Sequence, residues 1–306
     1  MTTPVSAPAV IGEPFDRELI AAGVDPAHVM DIARGTLAED LRWGPDVTTL
    51  ATIRDGQYGV AEVVSRQAGT IAGIPVAAAV LCAAAEQHGS DVDIDPVVSD
   101  GSRVTPSAVV LRASGPLRTM LTAERSMLNL LSQLSGVATA TSAWIAAIGD
   151  YRCAVRDTRK TVPGLRVLQK YAVSRAGGSN HRMGLGDAAL IKDNHIAAAG
   201  SVAAALAAMR QYDSTISVEV ECDTIDQVHE ALDAGADLIL LDNMCPEQMR
   251  ACVEAARKYG TALEASGGIS IDMASDVAAT GVDYISVGAL THSVASLDLG
   301  FDLANG

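Results

Sequence analysis

Beyond residue 150, short β-branched runs alternate with alanine-rich helical segments, and no other feature constrains the fold of this chain as tightly. Strand-like runs fall at 153–157, 189–193, 216–221, 237–242, 261–265 and 283–287, with helical stretches at 201–212, 225–234, 246–259 and 272–280. Repeated strand–helix units require right-handed crossovers and a parallel sheet. Six of them predict an α/β fold closed into a TIM-like barrel. Aromatic residues make up only 3% of the chain, so Ala, Val, Leu and Ile must supply its core.

The polar residues sharpen this reading. Nearly every predicted strand ends on a polar or glycine group: Arg159 and Lys160, Lys192, Glu221, Asp242, Ser266 with Gly267, and Gly288. In such barrels the C-terminal ends of the strands form the catalytic face. Along 216–221 the period of two sends Ile216, Val218 and Val220 to one side and Ser217, Glu219 and Glu221 to the other. Two carboxylates in a barrel lumen need cationic partners, for which Lys160 and Lys192 are the natural candidates. The glycines of S-G-G-I (266–269) and V-G-A-L-T-H-S (287–293) follow the last two strands, where main-chain N–H groups commonly cradle a phosphate.

Charge is distributed unevenly. The chain carries a formal net charge of −15, yet the stretch from Arg156 to Lys192 holds eight basic residues (Arg156, Arg159, Lys160, Arg166, Lys170, Arg175, Arg182, Lys192) against two acidic ones, Asp157 and Asp187. Converging cations repel one another unless an anion sits among them, so the inversion points to a pocket for phosphates and carboxylates. The acidic remainder argues against nucleic-acid binding.

Five cysteines (Cys82, Cys153, Cys222, Cys245, Cys252) show no metal-type spacing and read as reduced thiols of a cytoplasmic protein. Residues 1–14, rich in Pro, Ala, Ser and Thr, read as a flexible tail, and no uncharged apolar run has the length of a membrane span. From 15 to 114 helix-like segments (29–41, 76–88) mix with strand-like ones (59–65, 91–98, 108–113), as in a small α+β domain. A long helical pattern then runs from 117 to 148, carrying Glu124, Arg125 and Asn129.

Several blocks occur together in one order: E-D-L-R-W-G-P-D-V-T-T (39–49), L-T-A-E-R-S-M-L-N-L-L-S-Q-L-S-G-V-A-T (121–139), R-D-T-R-K-T, P-G-L-R, K-Y-A-V, N-H-R, L-I-K-D-N-H and L-L-D-N. In these the chain resembles the quinolinate phosphoribosyltransferases, also called carboxylating nicotinate-nucleotide pyrophosphorylases, over nearly all of its length beyond the tail. The resemblance implies an N-terminal open-faced α+β sandwich over 15–128, joined by the C-terminal segment 293–306, and an incomplete TIM-like α/β barrel over 129–292. It implies transfer of phosphoribose from phosphoribosyl pyrophosphate to quinolinate, giving nicotinate mononucleotide, pyrophosphate and carbon dioxide for NAD synthesis.

It further implies a homodimer with shared active sites and magnesium as cofactor. Arg125 from the partner subunit, Arg159, His181, Arg182 and Lys192 would hold the quinolinate carboxylates. Lys160 and Lys192 would face the phosphates, Glu221 and Asp242 the ribose hydroxyls and magnesium, and Ser266, Gly267 and Gly288 the ribose phosphate. Read without the resemblance, Arg125 pairs with Glu124 or a surface carboxylate on its helix, His181 serves as a core histidine as readily as a ligand, and Asp242 is placed either to cap the helix entered at Pro246 or, as its strand-end position beside Asn243 favours, to serve a site.

One stretch departs from the family pattern K-Y-A-V-R-x-G-G-G-x-N-H-R: here Ser174 replaces the arginine, Arg175 follows it and Ala176 replaces the first glycine. Competing readings are a related transferase for another heteroaromatic acid, a Schiff-base aldolase using Lys192, and a homologue that binds without turnover.

Overall fold

The computed structural model describes residues 10–304. Of the expected tail, residues 1–9 lie outside the described residues. Ile11 is buried and a helix begins at Glu13.

The chain forms two compact units. Among the described residues the first comprises 10–139, 167–176 and 294–304, and the second 140–166 and 177–293. Among the described residues no helix is long and apolar enough to cross a membrane.

The first unit carries strands β1 (Tyr58–Ser65), β2 (Gly69–Thr70), β3 (Asp93–Pro96), β4 (Arg103–Val104) and β5 (Val109–Pro116). An antiparallel sheet orders the C-terminal strand Leu299–Leu303, β1, β5 and β3, with Val63 opposite Phe301 on one side and Leu111 on the other. Ala-rich helix Ile74–His88, buried along almost its whole length, supplies much of this unit's core. Asp100 holds its start, accepting from the N–H groups of Gly73 (2.8 Å) and Ile74 (3.0 Å) that a helix leaves unpaired. The helix Leu117–Ile148, expected over the same residues, divides at 139 between the two units.

The second unit contains β6 (Ala154–Arg156), β7 (Ala189–Ile191), β8 (Val218–Cys222), β9 (Leu238–Asp242), β10 (Ala262–Ser266) and β11 (Tyr284–Ser286). All neighbouring pairs are parallel, in the order β6-β11-β10-β9-β8-β7, so β6 and β7 are edges and the sheet is an open barrel. All six expected strands are present. Val218, Val220, Cys222, Ile239, Leu241, Leu263, Ala265 and Ile285 are buried in one apolar core. Their neighbours at alternate positions are left to face the other way.

Among the helices missed in the sequence are Glu13–Ala21, Arg166–Arg175 and Asp193–Ala199. The two later ones are dense in charged and polar residues, which hid the apolar period. The departure from the family pattern lies in Arg166–Arg175 and just beyond it. Ser174 donates its hydroxyl to the carbonyl of Tyr171 (2.7 Å), and the Arg175 guanidinium lies 5.8 Å from the Tyr171 ring centre. Ala176 is not among the residues with positive φ, whereas Gly177 has φ of 92°, so the chain keeps glycine at the position of the two whose conformation favours it.

Candidate active site

The C-terminal ends of the barrel strands surround a cavity of about 640 Å³, lined by Arg159, Lys160, Arg182, Lys192, Glu221 and Asp242 together with His181, Ser266, Gly267 and Gly268. A second cavity of about 680 Å³ lies in the first unit around Asp46, Thr49, Gln57, Arg118 and Thr119, and has no comparable gathering of cations.

Short local devices set each side chain. Lys192 follows β7 directly, and its N–H donates to Nδ1 of His195 (2.9 Å), which fixes the start of the next helix. Its ammonium contacts a carboxylate oxygen of Glu221 on the adjacent strand. After β6, the Lys160 N–H donates to the Thr158 hydroxyl (3.0 Å) and the Lys160 carbonyl accepts from Thr291 (2.7 Å). The stem of Lys160 runs beside Gly288, where a β-carbon would stand 3.0 Å from its Cδ.

Asp242 ends β9 and accepts from the side chain of Asn243 (2.7 Å), which itself adopts φ of 55°. Gly267 has φ of 92°, and a β-carbon there would collide with the Asn243 side-chain amide and stand 2.8 Å from its main-chain nitrogen. Glycine is therefore required at 267 on two counts.

The loop bearing Arg182 is tied down by its neighbours. Asp187 accepts from the N–H groups of Met183 and Gly184 (2.8 Å for the latter), and these bonds outweigh burial to hold its carboxyl below the usual range. The Arg182 guanidinium donates to the Ala188 carbonyl (3.1 Å). Arg166 spans two loops, donating through Nε to the Thr161 hydroxyl (3.0 Å) and through Nη1 to the Met183 carbonyl (3.2 Å).

Burial, and then the nearby Arg159 guanidinium, push Arg182 below the usual arginine range. Two arginines and Lys192 in one cavity form an electrostatic trap for an anion. The planar forks of the two arginines suit carboxylates.

Of the expected site residues, Arg159, Lys160, His181, Arg182, Lys192, Glu221, Asp242, Ser266 and Gly267 line this one cavity. Gly288 adjoins it through Lys160. Arg125 is exposed on the long helix in the first unit, next to Glu124, and is not a lining residue.

The lysine partners expected for the two lumen carboxylates need one correction. Lys192 does meet Glu221, but Glu219 lies 2.9 Å from Nε2 of His181. A histidine can share a buried carboxylate with little added charge, whereas a lysine would have to bring its whole ammonium to the lower lumen.

Sequence reading missed Glu264, which is fully buried and takes the Arg156 guanidinium at 2.5 Å. Arg156 also stacks on Tyr284, 4.4 Å from the ring centre. Burial first, and Glu219 second, raise the Glu264 carboxyl. The signal existed: Glu264 stands two residues before Ser266, as Glu219 stands two before Glu221.

Family models for quinolinate phosphoribosyl transferase match both parts of the chain, the N-terminal domain at residues 46–135 and the C-terminal domain at 137–302. The chain belongs to the quinolinate phosphoribosyltransferase family. It is 48% identical over 276 residues to the nicotinate-nucleotide pyrophosphorylase (carboxylating) of Mycobacterium leprae, covering 89% of this chain and 96% of that one. A probable enzyme of the same name from Bacillus subtilis is 41% identical over 266 residues, covering 87% of this chain and 90% of that one.

Solved structures agree. NadC from Streptococcus pyogenes superposes with a TM-score of 0.86 at 38% identity, over 92% of this chain and 99% of that one. The nicotinate-nucleotide pyrophosphorylase of Francisella tularensis gives 0.85 at 37%, over 92% and 98%. In this family member the cavity combines two arginines with strand-end carboxylates.

Proposed function

We propose that this protein transfers phosphoribose from phosphoribosyl pyrophosphate to quinolinate and decarboxylates the product, yielding nicotinate mononucleotide, pyrophosphate and carbon dioxide in NAD synthesis. The observation that carries this reading is the convergence of Arg159, Arg182 and Lys192 with Glu221 and Asp242 in one cavity of a family member.

Quinolinate bears two carboxylates. Arg159 and Arg182 are matched to them, and neutralising their mutual repulsion favours the dianion over a monoacid. Lys160, beside Gly288, and the turn at Ser266 and Gly267 are placed to receive phosphates.

In the transfer step the anomeric C–O bond breaks and its electron pair leaves with pyrophosphate, while the pyridine nitrogen forms the new bond to that carbon. Positive charge develops on the ribose ring, and the Glu221 and Asp242 carboxylates beside it tolerate that charge. The ring nitrogen then becomes cationic. When the adjacent C–C bond breaks to release carbon dioxide, the electron pair left on the ring carbon is stabilised by that nitrogen and then forms a C–H bond with a proton drawn from solvent after carbon dioxide has left, so no nucleophilic side chain is needed. The residues around the ring contribute orientation and exclusion of water.

Magnesium fits the donors present. The hard carboxylate oxygens of Glu221 and Asp242 at neighbouring strand ends are the kind of partner magnesium takes alongside phosphate oxygens. When bound, it would supply charge stabilisation for the departing pyrophosphate.

Arg125 lies outside the cavity lining of its own chain. We place it in the site of a second copy, so that the functional unit is a homodimer with shared active sites. Five free cysteines suit a reducing, cytoplasmic setting.

The test is release of carbon dioxide and pyrophosphate from quinolinate plus phosphoribosyl pyrophosphate, with and without magnesium, and with nicotinate as a competing acceptor. Equal, magnesium-dependent release of both products from quinolinate alone is expected. Transfer to nicotinate without carbon dioxide, or release of neither product by folded protein, would sink the proposal.

A further inference from the structure

His181 is buried, and both of its ring nitrogens are engaged by the protein. The Arg182 N–H donates to Nδ1 at 2.7 Å, while Nε2 lies 2.9 Å from Oε2 of Glu219 and 3.7 Å from Oε1 of Glu264. The main-chain N–H of His181 donates to Oδ1 of the buried Asp157 at 2.9 Å.

A nitrogen that accepts a hydrogen bond from an N–H carries no proton of its own, so the network assigns the ring proton to Nε2, facing two carboxylates. Neither nitrogen of this ring is left to meet a substrate carboxylate.

We propose that His181 is a positioning residue: Glu219 holds its ring in the Nε2-protonated tautomer, and Nδ1 thereby fixes the main chain of Arg182 and aims that guanidinium at a substrate carboxylate. This rests on reading the cavity as the quinolinate site. The logic is that of carboxylate–histidine pairs in metal sites and hydrolases, where an acid sets which nitrogen can act on the next group. Here the next group is a peptide N–H.

The Arg182 loop needs such a fixture. Two of its residues, Met183 and Leu185, are exposed, and the guanidinium is partly buried beside the like-charged Arg159. An arginine repelled by its neighbour turns away unless its main chain is pinned. The Asp157 carboxylate on one N–H and the His181 ring on the next pin two successive peptides. Glu264 is excluded as the main orienter by distance and because Arg156 already occupies its other oxygen. Glu219 is the positioning carboxylate, through His181.

Two measurements test this. The first needs no substrate: long-range proton–nitrogen NMR of the histidine rings in the whole protein, with the His181 signals identified by their loss in His181→Asn. A bare Nδ1 and protonated Nε2 are expected. A proton on Nδ1, alone or with one on Nε2, overturns the proposal whether or not quinolinate is the substrate.

The second compares His181→Asn, His181→Gln and His181→Ala. An asparagine oxygen can stand near Nδ1 and accept the Arg182 N–H, whereas a glutamine amide reaches the place of Nε2. Loss of one such bond should raise the quinolinate KM about tenfold in the Ala and Gln variants, with KM for phosphoribosyl pyrophosphate unchanged, while Asn stays within about threefold of the parent. Equal impairment of Asn and Ala, or a Gln variant better than Asn, identifies the ring as a direct ligand and overturns the proposal. Glu219→Gln can donate to Nε2 and release the tautomer, so it should raise the quinolinate KM and change the His181 nitrogen pattern together. An unchanged pattern counts against Glu219.

Discussion

Lys192 and Glu221 meet side chain to side chain across adjacent parallel strands, with the carboxylate largely buried and the ammonium still partly open to solvent. This pairing keeps a carboxylate charged inside a cavity otherwise built for anions. Under the proposed function, an incoming polyanion would draw the lysine away and leave Glu221 for the ribose.

Removing either partner should therefore harm catalysis more than folding. Lys192→Ala and Glu221→Gln are each expected to lower kcat about 100-fold or more, the usual size for a group acting on transition-state charge. Because the lysine is half-open to water, its loss should cost the fold little. Steady-state rates beside thermal melts check this, and a large drop in Tm with modest loss of kcat would contradict it.

Arg166 joins the loop of Arg159 and Lys160 to the loop of Arg182 by bonds to Thr161 and Met183. Arg166→Lys keeps the charge but cannot span both acceptors with a planar fork. The expected result is a rise of about tenfold in the quinolinate KM with a smaller change in kcat. Identical kinetics in the lysine variant would show that the clamp does not govern substrate binding.

Gly267→Ala places a methyl group against Asn243 in a backbone region where φ is 92°. The left-handed conformation alone costs about 1–2 kcal/mol for an L-residue. Displacement of Asn243 should also loosen Asp242, its hydrogen-bond partner. Both Tm and activity should fall; a variant with unchanged activity would remove the 266–268 turn from the site.

If Arg125 serves the neighbouring subunit, Arg125→Ala and Lys192→Ala should complement each other. Each mixed dimer would carry one intact and one doubly damaged site, so random reassortment should restore roughly a quarter of parental activity. No recovery, with mixed dimers demonstrated by mass, would place Arg125 outside the shared site.

A pH effect on stability is expected from Asp100. It accepts from Gly73, Ile74 and the Tyr171 hydroxyl, but burial dominates and pushes its carboxyl from 3.8 up to about 6. The folded protein thus takes up a proton that the unfolded chain does not hold between those values. That contribution to stability is present below about pH 4 and is lost as pH rises through about 6. Relative to Asp100→Asn, the parent should gain in Tm as pH falls from 7.5 to 5 on the order of the unfolding shift such linkage allows. A difference in Tm that stays flat across this range would rule the effect out.

Much of the site was legible because it depends on local rules. Alternation along one strand sent Glu221 inward, and the ends of parallel strands placed Lys192, Asp242 and Ser266 at one mouth. Each needs only a strand's period and direction, which a few consecutive residues encode. The compatibility of Ala176 is also local, since it turns on backbone φ at one position and the glycine-specific angle falls on Gly177 instead.

Partner choice inside the lumen was not legible. Arg156, His181, Glu219 and Glu264 come from segments far apart in the chain, and they meet because the sheet order sets β10 and β11 between β6 and β9. Sequence alone determined the strand–helix alternation, the inward carboxylates and the concentration of cations, since those follow from periodicity and composition. Only the tertiary structure decided that Glu219 goes to a histidine and Glu264 to an arginine. The reason is that the desolvation cost of a buried charge is settled by which donors the register brings within hydrogen-bond reach, and register between distant strands is a property of the assembled sheet.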